Sequence, residues 1–381
     1  MTVRQLFLHV GSPKTGTTFL QGSVWASREQ LAAQGLELPL RRGEHFRAAL
    51  AVRELLDPEV DRPEWFDVLD RLHSALASSS APRTLVTHEF LAAATEEQAS
   101  GFVDSFPDYE VHIVLTARDL GRQVPAEWQQ QIQHRRMMTY PHFLTSLRDG
   151  HPDVQHFWAA QDTADVARRW SARLPPERVH VVTVPPPGAP RGLLLERFSQ
   201  VIGVDPARLN TGAAQGNDSM GLAQAELLRR VNVALGDRLP SSRAGYSRVA
   251  KDHLAQRLLA TQPGERPGLP LEAYDWCEPV ARRIIDAITT AGYSVVGDLH
   301  DLLPLRSTTE PMSLEVADSE LVAAAVEALA GMLDQRHSDL TTIDELRQRV
   351  VRLRSRVQAA EVPSPGGRLR STVARLRSRL S

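Results

Sequence analysis

Short apolar runs alternate with helix-like patterns through the first three hundred residues. The runs are rich in β-branched residues and end at glycine, proline or polar turns, which predicts strands over 6–10, 84–87, 111–116 and 179–184. Apolar residues recurring every three or four positions predict helices over 17–34, 65–77, 123–134, 164–174 and 191–202. This alternation predicts a three-layer α/β/α fold with a central parallel sheet, whose binding crevice lies at the carboxyl ends of the strands.

The pattern beyond residue 219 is helical and then changes character. Helices are predicted over 220–235, 247–259 and 271–291, and Gly292, Gly297 and Pro304 close this part. We therefore predict a catalytic domain over 1–305 and a helical tail over 306–381, which starts with an alanine-rich helix over 313–333.

A short coiled-coil seam follows within the tail. Spacings of three and four residues separate its apolar positions, which are Ile343, Leu346, Val350, Leu353 and Val357. Beyond the breaker at 363–367 a similar spacing recurs with arginine on much of the other face. Three uses stay open: packing on its own domain, a homo-oligomer formed through the tail, or a basic helix on an anionic surface or partner.

Composition narrows the classes of protein. Hydrophobic residues make up 42% and charged residues 24% of 381 residues, as is typical of a soluble globular protein. The single cysteine, Cys277, excludes an intrachain disulfide, and we expect no metal site. Because no apolar run suits a membrane span and no signal peptide is evident, we expect a cytoplasmic protein.

Charge is distributed unevenly along the chain. Net charge is −2, yet ten arginines and only one glutamate follow residue 346, so the rest of the chain is acidic. We expect no nucleic-acid partner, because the body is acidic and the basic tail lacks interleaved aromatic residues.

The densest chemistry is the segment 11–18, Gly-Ser-Pro-Lys-Thr-Gly-Thr-Thr, between the first strand and the first helix. Glycines, free amides and a helix N-terminus together favour an anion. Gly11 and Gly16 match the spacing of the ATP-binding loop, but Thr17 stands where that loop requires lysine. The lysine is instead Lys14, one of only two in the chain; the other is Lys251.

Residues 9–21, His-Val-Gly-Ser-Pro-Lys-Thr-Gly-Thr-Thr-Phe-Leu-Gln, resemble the 5′-phosphosulfate loop of sulfotransferases that use 3′-phosphoadenosine-5′-phosphosulfate (PAPS). The resemblance implies that Lys14 contacts the phosphosulfate near the scissile S–O bond. It also implies that the 5′-phosphate is bound by the surrounding loop residues, Pro13, Thr15, Gly16, Thr17 and Thr18. Phe19 takes the place of an aromatic residue that stacks on adenine, although simple core packing is an equal alternative.

A second family element binds the 3′-phosphate. The resemblance assigns this role to Arg118, which follows the strand over 111–116. The family has a serine eight positions later, where this chain has Ala126, so the contact is missing or is replaced by one of Arg122, Gln123 and Gln129. The late Arg-Lys-Gly of many relatives is also missing. The nearest candidate to replace it is the basic glycine loop 243–248, with Lys251 beyond it, and the alternative is that this loop is a plain connection.

Sulfuryl transfer also needs a base for the acceptor's proton. The first candidate is His45, followed by Glu89, and then by Glu44 or His88. The loop-rich stretch 134–156, which holds several histidines, methionines and aromatic residues, is expected to line the acceptor pocket.

These residues predict an enzyme, a PAPS-dependent sulfotransferase that acts on a hydroxyl or amine of a small-molecule, glycan or lipid acceptor. One alternative is a non-catalytic nucleotide-binding adaptor on the same fold, which the departures from the family pattern allow. The other is a small-molecule kinase, against which Thr17 argues, because a kinase of this type needs Mg²⁺ and a lysine after Gly16.

Overall fold

A computed structural model describes residues 3–190, 192–212, 219–240, 243–306 and 314–361. The chain divides into two units, Met1–Leu321 and Val322–Ser381. This division falls C-terminal to the boundary that the sequence predicts after residue 305. The boundary after residue 305 stays a prediction. The second apolar repeat of the tail, at 369–380, lies outside the described residues.

The first unit is built on one sheet of six parallel strands. Their order is β2-β3-β1-β4-β5-β6, and their bounds are β1 (Arg4–Gly11), β2 (Leu36–Glu37), β3 (Arg83–Thr87), β4 (Tyr109–Ala117), β5 (Val179–Thr183) and β6 (Ser294–Val296). All four predicted strands are confirmed. The sequence did not predict β2 and β6, because edge strands of two and three residues are too short to show a periodicity.

Helices connect the strands and extend the chain beyond them. They are α1 (Thr17–Ala26), α2 (Arg28–Ala32), α3 (Arg42–Val52), α4 (Val68–Ser78), α5 (Glu96–Asp104), α6 (Leu120–Gln133), α7 (Tyr140–Asp149), α8 (Gln155–Gln161), α9 (Thr163–Ser171), α10 (Leu193–Ile202), α11 (Leu222–Leu235), α12 (Leu271–Ala291) and α13 (Asp318–Glu361). A π-helical segment, Arg243–Leu259, lies between α11 and α12.

The prediction of a loop-rich stretch over 134–156 is wrong. Most of it forms α7 and the start of α8, and the side chains of Tyr140 and Phe143 are buried in the core. Thr139 caps α7 and Pro141 occupies its first turn. A proline at that position is compatible with a helix start, although in the sequence it resembles a turn.

Alternating residues of β1 separate two apolar cores. Leu6 and Leu8 pack on the face covered by α3, α4, α5 and α9, whereas Phe7 packs on the face covered by α1, α2 and α10. A sheet with helices on both faces confirms the predicted three-layer α/β/α fold. Among the described residues, we find no helix whose length and apolar character suit a membrane crossing.

The strand order places a crevice beside β1. From β1 the chain first adds β2 and β3 on one side and then β4 on the other, so the order reverses at β1. In parallel sheets such a reversal opens a crevice beyond the carboxyl ends of the two central strands. Gly11 ends β1 and Ala117 ends β4, so the segments after both residues meet at this crevice.

Candidate functional site

The glycine loop, Gly11–Thr18, connects β1 to α1 and contains two positions that require glycine. Gly11 has φ +130° and Gly16 has φ +86°. A Cβ atom on Gly16 would lie 2.5 Å from Leu194 Cδ2, and one on Gly11 would lie 3.0 Å from Ala92 Cβ. Both positions therefore exclude a side chain.

Hydrogen bonds from β4 fix the shape of the glycine loop. The Ser12 amide donates to the Thr116 carbonyl oxygen (3.0 Å), and the Thr116 hydroxyl donates to the Gly11 carbonyl oxygen (3.0 Å). The buried Thr15 hydroxyl donates to the Ser12 carbonyl oxygen at 2.5 Å and also contacts the Thr116 hydroxyl. Because the Thr15 hydroxyl is used within the loop, its backbone amide is the group left for a phosphate.

The start of α1 points an uncapped helix end at the same place. Gly16 is the N-cap residue and offers no side-chain hydrogen bond to the first turn. The amides that begin a helix lack intrahelical acceptors, and the helix dipole makes this end positive. Thr17 is buried and Thr18 is exposed, and their contacts with the 5′-phosphate stay a prediction. Phe19 packs partly on the core of α1 and α10, which favours its packing role.

Two cations meet beside the glycine loop. Arg118 Nη1 donates to the carbonyl oxygen of Lys14 at 2.9 Å, and Lys14 itself has φ +63°. The Nε atom of Arg118 is buried and has no hydrogen-bond partner in the described part of the chain. Within that part, neither residue forms an ion pair with a carboxylate. Their positive charge is therefore available to an anion.

Burial and neighbouring charges perturb both cations. Burial lowers the pKa of Lys14; the charge of Glu127 opposes this shift and that of Lys251 adds to it. Burial, aided by the charge of Arg122, lowers the pKa of Arg118 to about 10. Arginine stays charged at neutral pH under these conditions, so Arg118 provides a permanent planar donor for a phosphate.

The residues predicted to replace the missing serine are engaged elsewhere. Ala126 is half-buried on α6 and supplies no hydroxyl. The three polar candidates contact other groups of the protein: Gln123 Nε2 donates to the Pro13 carbonyl oxygen (2.7 Å), Arg122 pairs with Asp119, and Gln129 Nε2 donates to the Met220 carbonyl oxygen (3.1 Å). Gln123 thus helps to hold the glycine loop, and the loss at Ala126 is not replaced by these contacts.

Glu127 is a functional candidate that the sequence analysis missed. It lies on the buried face of α6, and burial raises its pKa to about 7, although the charge of Lys14 opposes this shift. The neighbouring side chains of Gln131 and Gln161 also oppose the rise in its pKa, and its Oε2 atom has no hydrogen-bond partner among the described residues. The sequence does contain one indication of its burial. Glu127 lies three residues after the apolar Val124, on the same helical face, and is spaced like a core residue.

His45 has no free ring nitrogen in this structure. It lies on α3, where Nε2–H donates to the Pro39 carbonyl oxygen at 2.6 Å and Nδ1 accepts from the Thr87 amide at 3.1 Å. Burial lowers the pKa of His45 to about 4. These contacts connect α3 to the end of β3 and favour a packing role. The role of His45 as a base stays a prediction, and the geometry favours Glu127 over His45 as the candidate base.

The other predicted bases follow β3 or begin α3. Glu89 follows β3 by two residues, accepts from Gln21 Nε2 at 2.7 Å, and is close enough to raise the pKa of Lys14. His88 Nδ1 accepts from the Phe90 amide at 3.2 Å. Glu44 caps α3 through the Arg41 amide (2.9 Å) and pairs with Arg71 (3.0 Å). Of these, Glu89 lies near the glycine loop and remains a second carboxylate candidate.

Lys251 brings the second lysine of the chain to the same region. Lys251 Nζ donates to His134 Nε2 at 2.7 Å, and burial, with the charges of Lys251 and Lys14, lowers the pKa of His134 to about 4. The predicted basic loop over 243–248 is wrong as a loop, because residues 243–259 are π-helical. In the described ranges, no three His, Cys, Asp or Glu residues group as metal ligands do.

The described site therefore combines loop amides, a helix N-terminus, two lysines, an arginine and a buried carboxyl group at a sheet crevice. Such an arrangement can hold a phosphate or sulfate and place a base with a pKa near neutrality beside it. These features are those of an anion-binding site at the carboxyl edge of a parallel sheet.

Comparison with known proteins adds little to this description. No family model matches the chain, and no curated protein has a similar sequence. Among solved structures, the chain is similar to a crystal structure of a sulfotransferase from Alicyclobacillus acidocaldarius, with 17% identity and a TM-score of 0.37. That similarity covers 62% of this chain and 95% of the other. At this level it carries no argument about residues or activity.

Proposed function

We propose that the chain is a sulfotransferase that moves a sulfuryl group from PAPS to a hydroxyl or amine of an acceptor. The observation that carries the proposal is the meeting of Lys14 and Arg118 at the glycine loop, with the buried carboxyl group of Glu127 near Lys14. Cations without carboxylate partners suit a doubly anionic donor, and a carboxyl with a raised pKa suits a base at neutral pH. The loop sequence, with lysine at position 14, supports phosphosulfate as the donor group.

The reaction assigns a role to each of these residues. The acceptor oxygen or nitrogen bonds to sulfur, and the bond from sulfur to the phosphate oxygen breaks. The ammonium group of Lys14 stabilises the negative charge that grows on this leaving oxygen. The ionised carboxylate of Glu127 takes the proton that the acceptor loses, and Glu89 is the second candidate for this step.

The nucleotide end depends mainly on Arg118. Its buried Nε has no hydrogen-bond partner among the described residues, as expected for a donor that is completed by a ligand phosphate. Ala126 contributes no hydroxyl there. We infer that Arg118 carries most of the 3′-phosphate recognition, with the charge of Lys251 strengthening the positive field.

The first test is calorimetric titration of the full chain with adenosine 3′,5′-bisphosphate, the spent donor, and with ATP and Mg²⁺. The bisphosphate should bind and ATP should not. Arg118→Ala should weaken bisphosphate binding about 10- to 100-fold, because it removes charge-assisted hydrogen bonds. Arg118→Lys is the matched control: it keeps the charge and loses the planar fork, so its affinity should lie between the two.

Each contrary result has a definite meaning. Binding of ATP alone would indicate a kinase, and binding of neither nucleotide would indicate the adaptor function. An unchanged affinity in Arg118→Ala would remove Arg118 from the site. Transfer itself is tested with labelled PAPS and a panel of phenol, glycan and lipid acceptors, where Lys14→Ala should abolish transfer and leave the far-UV circular dichroism unchanged.

A further inference from the structure

An apolar stripe runs along the helix of the second unit. The tail seam, defined as Ile343, Leu346, Val350, Leu353 and Val357, lies on α13. Its side chains are between 37% and 56% exposed. A row of five exposed branched side chains at heptad spacing requires a partner helix, because apolar residues repeated every 3.5 positions pack in coiled coils.

The residue types in the tail seam specify a two-stranded arrangement. With Ile343 as an a position, the a positions are all β-branched and both d positions are leucine. β-branched a residues with leucine at d favour two helices over three or four. The seam spans about 21 Å at 1.5 Å per residue, enough for two heptads of one partner.

The charges that flank the tail seam oppose the pairing of two such seams. All four positions e and g between Leu346 and Val357 are arginine, namely Arg347, Arg349, Arg354 and Arg356. In a parallel pair Arg349 of one copy faces Arg354 of the other, and in an antiparallel pair arginine again faces arginine. Arg347 pairs with Asp344 on its own helix at 3.2 Å, but exposed pairs of this kind are weak.

The chain that follows the tail seam cannot neutralise these arginines. Residues 362–381 contain five more arginines and no acidic residue. A membrane surface is also a poor match, because residues 314–381 contain no Trp, Phe or Tyr, which interfacial helices commonly carry on their apolar face.

We propose that the tail seam binds an acidic α-helix of another protein, with apolar residues at its own a and d positions and Glu or Asp at its e and g positions. Charge complementarity then replaces arginine–arginine contacts with arginine–carboxylate contacts on both sides of the seam. The proposal concerns the second unit alone and is independent of the proposed sulfuryl transfer.

The test uses the full chain and three labelled synthetic peptides of three heptads, followed by fluorescence anisotropy. The first peptide has Val at a, Leu at d and Glu at e and g. The second has Lys at e and g, and the third keeps Glu there but has Ala at a and d. The first should bind at least tenfold more tightly than either control.

Charge-reversal variants complete the design. The double variant Arg349→Glu/Arg354→Glu should lose at least tenfold in affinity for the first peptide. Arg352→Glu, at a c position away from the seam, should change it less than threefold. Circular dichroism of each variant checks that the helix is retained, and peptides added to the wild-type chain give the same comparison without any substitution.

Several outcomes would overturn the proposal. Equal binding of the first and third peptides would mean that charge alone acts. A dimer of the full chain in sedimentation at micromolar concentration, which the first peptide does not disrupt, would assign the seam to a second copy. Binding to phosphatidylglycerol vesicles without binding of the first peptide would assign it to a membrane surface.

Discussion

Replacing Glu127 by glutamine should stabilise the protein at alkaline pH and slow catalysis in the same variant. Burial raises the pKa of Glu127 from 4.5 to about 7, so the folded protein keeps a proton that the unfolded chain releases. A folded-state pKa above the unfolded value means that stability falls as pH rises from 4.5 to 7, and then stays low. At 1.36 kcal/mol for each pKa unit, the cost is on the order of 3 kcal/mol above pH 8.

The stability part of this prediction needs no knowledge of the acceptor. Urea unfolding is measured at pH 5 and pH 8.5 for the wild type and Glu127→Gln. The glutamine carries no charge to bury, so its advantage over the wild type should grow by about 2 kcal/mol between the two pH values. Glu177→Gln, the same chemical change at an exposed position, is the matched control. An advantage that stays constant with pH would refute a buried, raised carboxyl at this position.

The catalytic part follows from the same pKa. A base must be ionised, so the wild-type rate should rise with pH, reach half its maximum near pH 7 and level off above it. Glu127→Gln should lower kcat by roughly 10²- to 10⁴-fold, the usual contribution of general base catalysis, and should lose this pH dependence. If rate and profile both survive, the base lies elsewhere, and Glu89→Gln becomes the equivalent test.

Three other predictions concern the same region. Gly16→Ala should destabilise the protein by about 1–3 kcal/mol in urea unfolding, because the new Cβ would meet Leu194 at a positive φ, whereas Gly43→Ala, with open space around it on α3, should be neutral or stabilising. His45→Gln should lower the free energy of unfolding. This difference from the wild type should shrink below pH 6.5, because the wild type itself loses stability there: the pKa of His45 is about 4 in the folded protein, below its unfolded value. If His45 is only a packing residue, kcat should change less than threefold. Bisphosphate binding at pH 7 should take up as much as about half a proton, measured by calorimetry in two buffers, because an anion raises the pKa of Glu127 further, and Glu127→Gln should abolish most of this uptake.

The sequence predicted those features of the fold and site that are formed by consecutive residues. The glycine loop was readable because its glycine spacing and Lys14 are consecutive features of one strand–turn–helix unit. The three-layer fold followed from strands long enough to show apolar runs. Strand β6 was missed because its three residues lie half-buried at the sheet edge, where little periodicity is required.

The proposed base was harder to predict, because its properties depend on residues that are distant in the sequence. The position of His45 after the first predicted helix suggested a base, but packing puts it between Pro39 and Thr87, where both ring nitrogens are used. Glu127 follows Arg118 by nine residues, but its significance depends on burial against α8 and on the charge of Lys14. A glutamate at a core-facing helical position was the only local sign of this.

Lys14 and Glu127 suit the proposed reaction better as separate charges than as a direct ion pair. A direct ion pair would lower the pKa of Glu127 toward that of an ordinary carboxyl and hold the ammonium away from an anion. In the described part of the chain no such pair forms; the two groups act on each other through their charges while burial dominates both pKa values. In the proposed reaction, Glu127 would thereby act as a base near neutral pH, and Lys14 would meet the leaving oxygen. The same burial that costs stability therefore favours the base that the proposed sulfuryl transfer requires.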